Sequence, residues 1–254
     1  DKCSLITFRA PFLEHKEAHI STTSITIFIS KNKNNLITLR TKEIAPVENL
    51  KQILFKQNAL LQKGTSFLLY RLLDEILNSY FQILDTVEDK IDKIEDSVLE
   101  KPDKSTVEQI FATKKTLIFF HKALTANREV ITSIEKEYVK EIDKKNIKRF
   151  RSLYNDITQL IETEGTYREI MTGTLEIYLS SISNNLNQVM KTLTIITAFV
   201  LVPTLIAGIY GMNFAFMPEI NTPFGQKYGY YFALGLMAFS VLAMYIYFRR
   251  KGWI

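Results

Sequence analysis

Charged side chains are missing from 27 consecutive residues, Thr192 through Pro218, and again from 21, Tyr228 through Phe248. Spanning the hydrocarbon core of a bilayer takes about 20 mostly apolar residues, and a charge-free run of that length is rare in the core helix of a soluble domain. Both stretches therefore read as transmembrane helices. Inside a membrane the backbone must satisfy its own hydrogen bonds, so segments of this composition are restricted to helices. The mean hydropathy of the whole chain, close to zero, hides this division. Nearly all of the 32 Lys and Arg and 27 Asp and Glu of the 254 residues lie before the first stretch.

Basic residues bracket the pair: Lys191 precedes the first span, and Arg249, Arg250 and Lys251 follow the second. Such residues stay on the cytoplasmic side, so both ends are expected in the cytoplasm and the multi-pass protein in a cell membrane, in contact with its lipids. The connecting loop, about Gly211 to Lys227, is then external and carries only Glu219 and Lys227 as charges. The chain divides into a cytoplasmic α/β part over 1–145, a stalk over 146–190, a first span over 191–212, an external loop over 213–227, a second span over 228–248 and a basic tail over 249–254. Cys3, the one cysteine, cannot form an internal disulfide, in keeping with a reducing cytoplasm. No signal peptide is visible, and a start at Asp1 just before strand-like sequence is expected to reflect trimming.

In the cytoplasmic part, Ile25, Ile27 and Ile29 alternate with smaller or aromatic neighbours over Ser24 to Ser30, and a polar turn, Lys31 to Asn35, leads to Leu36 to Thr41. That pattern predicts a β-hairpin within a small sheet backed by helices, any upstream strand lying in Asp1 to Ala10. Pro46 opens a helical pattern; Lys63, Gly64 and Thr65 punctuate it before a longer helix, about Ser66 to Leu99. There Leu84, Val87, Ile91, Ile94 and Val98 step by three and four, the spacing of a coiled-coil seam. Asp85, Glu88, Asp89, Asp92, Glu95, Asp96 and Glu100 outnumber Lys90 and Lys93 on the other faces, which reads as a solvated acidic face on a hairpin with the helix after Pro102.

From Asn146 to about Asn213 the only proline is Pro203, and apolar positions keep helical spacing through Phe150, Leu153, Ile157, Ile161, Ile170 and Ile177. One helix of roughly 100 Å is expected to run from cytoplasm through membrane, too long to stand without neighbours, so self-association is expected. Pro203 should kink or loosen it. Down the first span, Met190, Thr194, Thr197, Leu201, Thr204, Gly208 and Gly211 form one stripe of small, hydroxyl-bearing and apolar side chains. In a ring of identical helices such a stripe is both a packing seam and the lining of a narrow path with dry constrictions. Where the apolar run stops, Tyr210, Gly211, Met212, Asn213 and Phe214 supply carbonyl and carboxamide oxygens, hard groups suited to a hydrated cation.

The segment Ile206 to Phe214, followed by Met217, Pro218 and Glu219, resembles the signature of the CorA-type magnesium channel family, whose mouth motif is Gly-Met-Asn. The resemblance implies a funnel-shaped homopentamer with an α+β cytoplasmic domain, a very long helix and a two-helix membrane hairpin. It implies a filter at Gly211, Met212 and Asn213, and a lining and gate of Asn187, Met190, Leu193, Leu201, Thr204 and Gly208, to which the stripe adds Thr197, with Lys191, Arg249, Arg250 and Lys251 as a basic collar. Mg²⁺ sheds water reluctantly, and a neutral ring of Asn213 carboxamides and Gly211 carbonyls can hold it with its water shell intact, while Glu219 adds attraction from a distance. Family members gated by internal Mg²⁺ place acidic residues at an interface between subunits. The matching positions here are Ser79 and Ser152, so Asp74, Glu75, Asn155, Asp156 and Glu176, close along the same helices, are the candidates to serve instead.

Hard oxygen groups and the absence of His and Cys from the spans favour Mg²⁺ over Co²⁺, Ni²⁺ or Zn²⁺, the ions of a related transporter as the alternative. A membrane-anchored receptor or scaffold, whose stripe is a seam alone, is the alternative of another class. No Gly-rich loop ending in Lys-Ser or Lys-Thr and no nucleophile, base and orienter set can be assembled, so nucleotide, nucleic acid and enzymatic chemistry are not expected. His15 and His19 share the spacing of a helical metal pair but lack the zincin order, and His121 reads as an isolated packing or surface residue.

Overall fold

The computed structural model describes residues 3–14, 19–30, 34–100, 102–213, 217 and 221–254. Strands β1 (Ser4–Glu14), β2 (His19–Ser30) and β3 (Asn35–Arg40) form an antiparallel sheet in that order. Helices α1 (Ala45–Lys56), α2 (Thr65–Glu100), α3 (Lys104–Glu135), α4 (Lys144–Tyr210) and α5 (Pro223–Arg250) follow, with a short 3-10 turn at Asn58–Lys63. The fold is therefore a small sheet with helices, one very long helix and a C-terminal helix.

Two strands are longer than the hairpin read from sequence: β1 continues past Ala10, and β2 begins before Ser24. The Ser21, Thr22, Thr23 run carries no apolar alternation, yet it stays in antiparallel register with Phe12, Pro11 and Ala10 of β1. His19 begins β2, so a strand stands where a histidine pair one helical turn apart would need a helix, and His15 lies outside the described residues. The second membrane helix also begins earlier than Tyr228. Thr222 caps it by accepting from Gly225 N–H at 3.1 Å, and Pro223, whose missing N–H costs nothing in a first turn, starts it.

Compactness divides the chain into Asp1–Leu179 and Ser180–Ile254. In the first unit the register sets Ile6 opposite Ile27 and Phe8 opposite Ile25, so one face of the sheet is apolar and buried. Helix α3 contributes Ile110, Thr113, Leu117, Phe120, Leu124, Asn127, Ile131 and Ile134 to the core, an unbroken three-four spacing. Helix α2 adds Leu84, Val87, Ile91, Ile94 and Val98, and α4 adds Phe150, Leu153, Ile157, Leu160, Glu164, Met171 and Thr174. Three amphipathic helices thus share one coiled-coil-like core, which is why each carries a seam rather than an all-apolar surface.

Polar groups tie that core together. Asn127 is fully buried, its Oδ1 accepting from Arg9 N–H and its Nδ2 donating to Arg9 C=O, both at 2.7 Å. The carboxamide therefore replaces a strand partner at one residue of β1. Tyr80 donates to the same carbonyl at 3.2 Å, with its ring edge-on to Phe120. At the hairpin turn, Asp103 caps α3 by accepting from Thr106 N–H at 2.8 Å, and that bond holds its carboxyl below the usual carboxylate range.

Candidate functional site

Helix α4 passes through Pro203 without ending. The proline ring removes one N–H, which leaves the Phe199 carbonyl without its usual partner. One residue on, Thr204 Oγ1 donates to Val200 C=O at 2.7 Å. The same bond recurs at Thr194 to Met190 C=O and Thr197 to Leu193 C=O, both 2.8 Å. Each hydroxyl proton of the stripe is thus spent within the helix, so the oxygens present lone pairs outward.

Every member of the stripe, Met190, Thr194, Thr197, Leu201, Thr204, Gly208 and Gly211, is exposed, as is Asn187. Met190, Leu193 and Leu201 keep 59%, 55% and 62% of their surface, so within one chain these apolar side chains have almost nothing to pack against. The opposite side of α4 is occupied. Phe199 meets Phe248 of α5 with ring centroids 5.8 Å apart, and Ile195, Ala198, Val202 and Ile206 on that side are partly covered. The structure therefore separates a covered back from an open front along the same helix.

At its end, α4 gives way to Gly211, Met212 and Asn213, all exposed. Gly211 N–H donates to Ala207 C=O at 2.9 Å, and Met212 N–H to Ile209 C=O at 3.3 Å. A Cβ at Gly211 would stand 3.1 Å from the Ala207 carbonyl oxygen, so a larger residue must shift this last turn. With the described residues the Asn213 carboxamide makes no hydrogen bond, and Phe214, Pro218 and Glu219 lie outside them.

The basic positions converge in part. Arg249 and Arg250 form the last turn of α5 and Lys251 its cap, all exposed, while Lys191 Nζ donates to Gly252 C=O at 3.1 Å. In the first unit, Asp74 and Glu75 are held by one guanidinium: Arg71 Nη1 lies 2.6 Å from Asp74 Oδ2 and Nη2 lies 2.9 Å from Glu75 Oε1. Burial lifts the Asp74 carboxyl above the carboxylate range. Burial and then the Asp74 charge lift Asp156, which puts these two carboxyls within electrostatic reach across α2 and α4. Asn155 and Glu176 are exposed on α4, as is Ser152, while Ser79 donates to Ile76 C=O at 2.6 Å. Among the described residues, no group of three or more His, Cys, Asp or Glu in one chain is arranged to hold a metal.

The acidic face of α2 is mostly solvated, and two of its members also hold α4: Glu88 accepts from Tyr167 at 2.7 Å, and Glu95 accepts from Thr174 at 3.3 Å. His121 is not isolated. Its Nδ1 lies 2.7 Å from Glu164 Oε2, a carboxylate at 0% exposure whose Oε1 has no hydrogen-bond partner and whose nearest cation is Arg168 at 3.9 Å. No local signal marks this pair, because 43 residues separate the two.

Both helices of the second unit are long and apolar enough to cross a membrane; none of the apolar window in α4, and 11% of that in α5, is buried. The family profile described as "CorA-like Mg2+ transporter protein" matches residues 1–250. The chain belongs to this family. It is 38% identical over 253 residues to the cobalt/magnesium transport protein CorA of Methanocaldococcus jannaschii, covering 98% of this chain and 77% of that one. The Thermotoga maritima protein of the same description is 38% identical over 203 residues, covering 80% of this chain and 57% of the relative. The complete structure of the M. jannaschii CorA magnesium transporter superposes with a TM-score of 0.87 at 35% identity, over 100% of this chain and 78% of that one. The full-length CmaX structure, 20% identical with a TM-score of 0.73, shares the fold. Members of this family are membrane transporters of magnesium, as the profile describes them, and the candidate spans here are α4 and α5.

Proposed function

We propose that this chain is one subunit of a homopentameric channel that carries Mg²⁺, and Co²⁺ with it, into the cytoplasm, both termini lying on that side. The observation that carries the reading is the open front of α4. Within a membrane-transporter family, a stripe of hydroxyl, small and apolar side chains stands exposed along the whole span, while its back is covered by α5. Copies of the same helix around an axis cover that front and turn it into a lining. Rings of Asn187, Thr197, Thr204 and Gly208 are its wet levels, and Met190, Leu193 and Leu201 its dry ones, where a narrow pore closes by dewetting.

At the external end, Gly211 carbonyls and Asn213 carboxamides accept hydrogen bonds from the water shell of the ion. Mg²⁺, which keeps its shell, is concentrated there without being stripped. The driving force is the membrane potential: a divalent ion gains about 4.6 kcal/mol per 100 mV, so no nucleotide is needed. Inside, the lifted Asp74 and Asp156 carboxyls favour a neutralising cation. Divalent ions held between copies by these residues with Glu75 and Glu176 keep the ring closed, and their loss as internal Mg²⁺ falls lets carboxylate repulsion loosen it.

The deciding experiment is uptake of Mg²⁺ into proteoliposomes under an imposed inside-negative potential. Uptake by the chain, blocked by hydrated-ion mimics and cut about a hundredfold or more by Asn213→Ala, is the expected result; a fall of that order is what loss of a ring of hydrogen bonds to a charged species gives. Uptake unchanged in Asn213→Ala removes the filter, and uptake of Zn²⁺ but not Mg²⁺ replaces the cargo. For the regulatory part, Asp156→Ala with Glu176→Ala should relieve inhibition by internal Mg²⁺, and unchanged inhibition rejects it.

A further inference from the structure

The C-terminal end of α5 is closed by a glycine turn whose parts reach back onto α4. Gly252 has φ +66°, the left-handed region that favours glycine. Its N–H donates to Arg249 C=O at 3.1 Å, and Trp253 N–H donates to Phe248 C=O at 2.9 Å. This is the pair of bonds of a Schellman motif, and its accompanying apolar contact is present: the Trp253 and Phe248 rings stack with centroids 5.7 Å apart at 12°. Phe248 is buried and touches Phe199 of α4. Eight residues earlier on α4, Lys191 Nζ donates to Gly252 C=O at 3.1 Å and lies 5.9 Å from the Trp253 ring centre.

We propose that Lys191, Gly252 and Trp253 form a latch that fixes the rotational setting of α4 at the level of Met190 and Leu193. The inference rests on the reading of α4 as the pore helix for what that setting controls, and on the contacts alone for its existence. Lys191 and Phe199 grip the α5 terminus at two points of α4 about two turns apart. A helix held at two points on one side cannot roll freely, so the side chains on the other side, Met190, Leu193, Thr194 and Thr197, keep a fixed aim. The turn orients a carbonyl that α5 has no internal donor for, and an ammonium is a strong partner for it. The aromatic face adds a second attraction for the same cation. Lys191 is in this account a positioning residue, acting through the tail rather than through its charge on a passing ion.

The chain holds one tryptophan and one cysteine, which makes the test direct. In full-length protein in vesicles, Lys191→Met should raise quenching of Trp253 emission by acrylamide, and Lys191→Arg should restore protection. In a Cys3→Ser, Leu193→Cys background, Lys191→Met and Trp253→Ala should each change the rate of labelling of residue 193 by a hydrophilic maleimide roughly tenfold, the scale of one charged hydrogen bond. The double variant should go no further than either single one, because both remove the same contact. Flux through the Cys-bearing channel should change with the labelling rate. Rates that multiply in the double variant, or quenching indifferent to Lys191, overturn the latch. A latch seen by labelling in a chain that carries no flux leaves the contact standing and rejects the pore reading. A change in flux reproduced by Arg249→Gln, Arg250→Gln and Lys251→Gln together, with Trp253→Ala silent, assigns Lys191 to an electrostatic collar and rejects the latch.

Discussion

The two halves of α4 live under opposite rules. Up to Thr174, its seam is sunk among α2 and α3, with Phe150, Leu153, Ile157, Leu160 and Met171 fully buried. Beyond Ser180 the same helix buries almost nothing within its own chain, and α5 covers only one side of it. The first half therefore owes its stability to contacts supplied by one polypeptide, and the second, on the function proposed above, takes its neighbours from lipid or from further copies. Burial of apolar side chains contributes about 25 cal/mol per Å² in the first setting; lipid tails are as apolar as leucine, so the second gains nothing comparable from the hydrophobic effect.

Substitutions should separate the two regimes. Phe120→Ala, which empties a position sealed by Tyr80, should cost about 3–5 kcal/mol in urea unfolding of the first unit. Phe239→Leu on the exposed side of α5 should stay within about 0.5 kcal/mol by thermal unfolding in detergent. An equal cost at both would erase the contrast. Asn127→Ala should follow, at about 2–3 kcal/mol, because it strips the partner from Arg9 N–H inside the core and leaves Arg9 C=O with Tyr80 alone.

His121→Ala should cost about 1–3 kcal/mol, less than a fully enclosed pair would, since the imidazole is partly exposed. Adding Glu164→Leu should return most of that loss by removing the stranded buried charge; continued loss in the double variant would mean the imidazole matters for packing. The pH dependence is subtler. Asp74 and Asp156 are lifted on folding, so the native state holds their protons more tightly than the unfolded chain does. Stability from them is full below the ordinary carboxylate value, about 4, and is lost as pH rises through the lifted values. Asp156→Asn should thus stabilise the unit at pH 7 by under about 1 kcal/mol and flatten that fall, as read from urea midpoints across pH. Smallest of all, removing the exposed Lys104–Glu108 pair should change stability by less than about 0.5 kcal/mol.

Much of the architecture was legible in the chain because it is written in local periodicity. Uncharged runs marked α4 and α5, the three-four spacing of Leu84 to Val98 marked the α2 seam, and Gly64 marked the break before it. The hairpin was found but its strands were cut short, since Ser21 to Thr23 pair through backbone and leave no apolar alternation to see. The stripe from Met190 to Gly211 was readable as one side of a helix, and its exposure followed from the same geometry. Gly252 after the basic turn, with Trp253 next, carries the local signal of a C-terminal cap.

By itself the sequence determined what its residues dictate to their neighbours: which segments are helical, which can cross a bilayer, which family motif closes the first span, and which side of α2 is apolar; on α4 the spacing ran on to Ile170 and Ile177, which are exposed, while Glu164, Met171 and Thr174 continue the buried side. Only the tertiary structure decided which distant groups meet. Asn127 reaches a strand 118 residues away, His121 reaches Glu164, and Lys191 reaches a carbonyl 61 residues on. Periodicity is a property of a few turns of backbone and survives in one dimension, whereas such pairs depend on how whole helices cross and dock, which no spacing along the chain encodes.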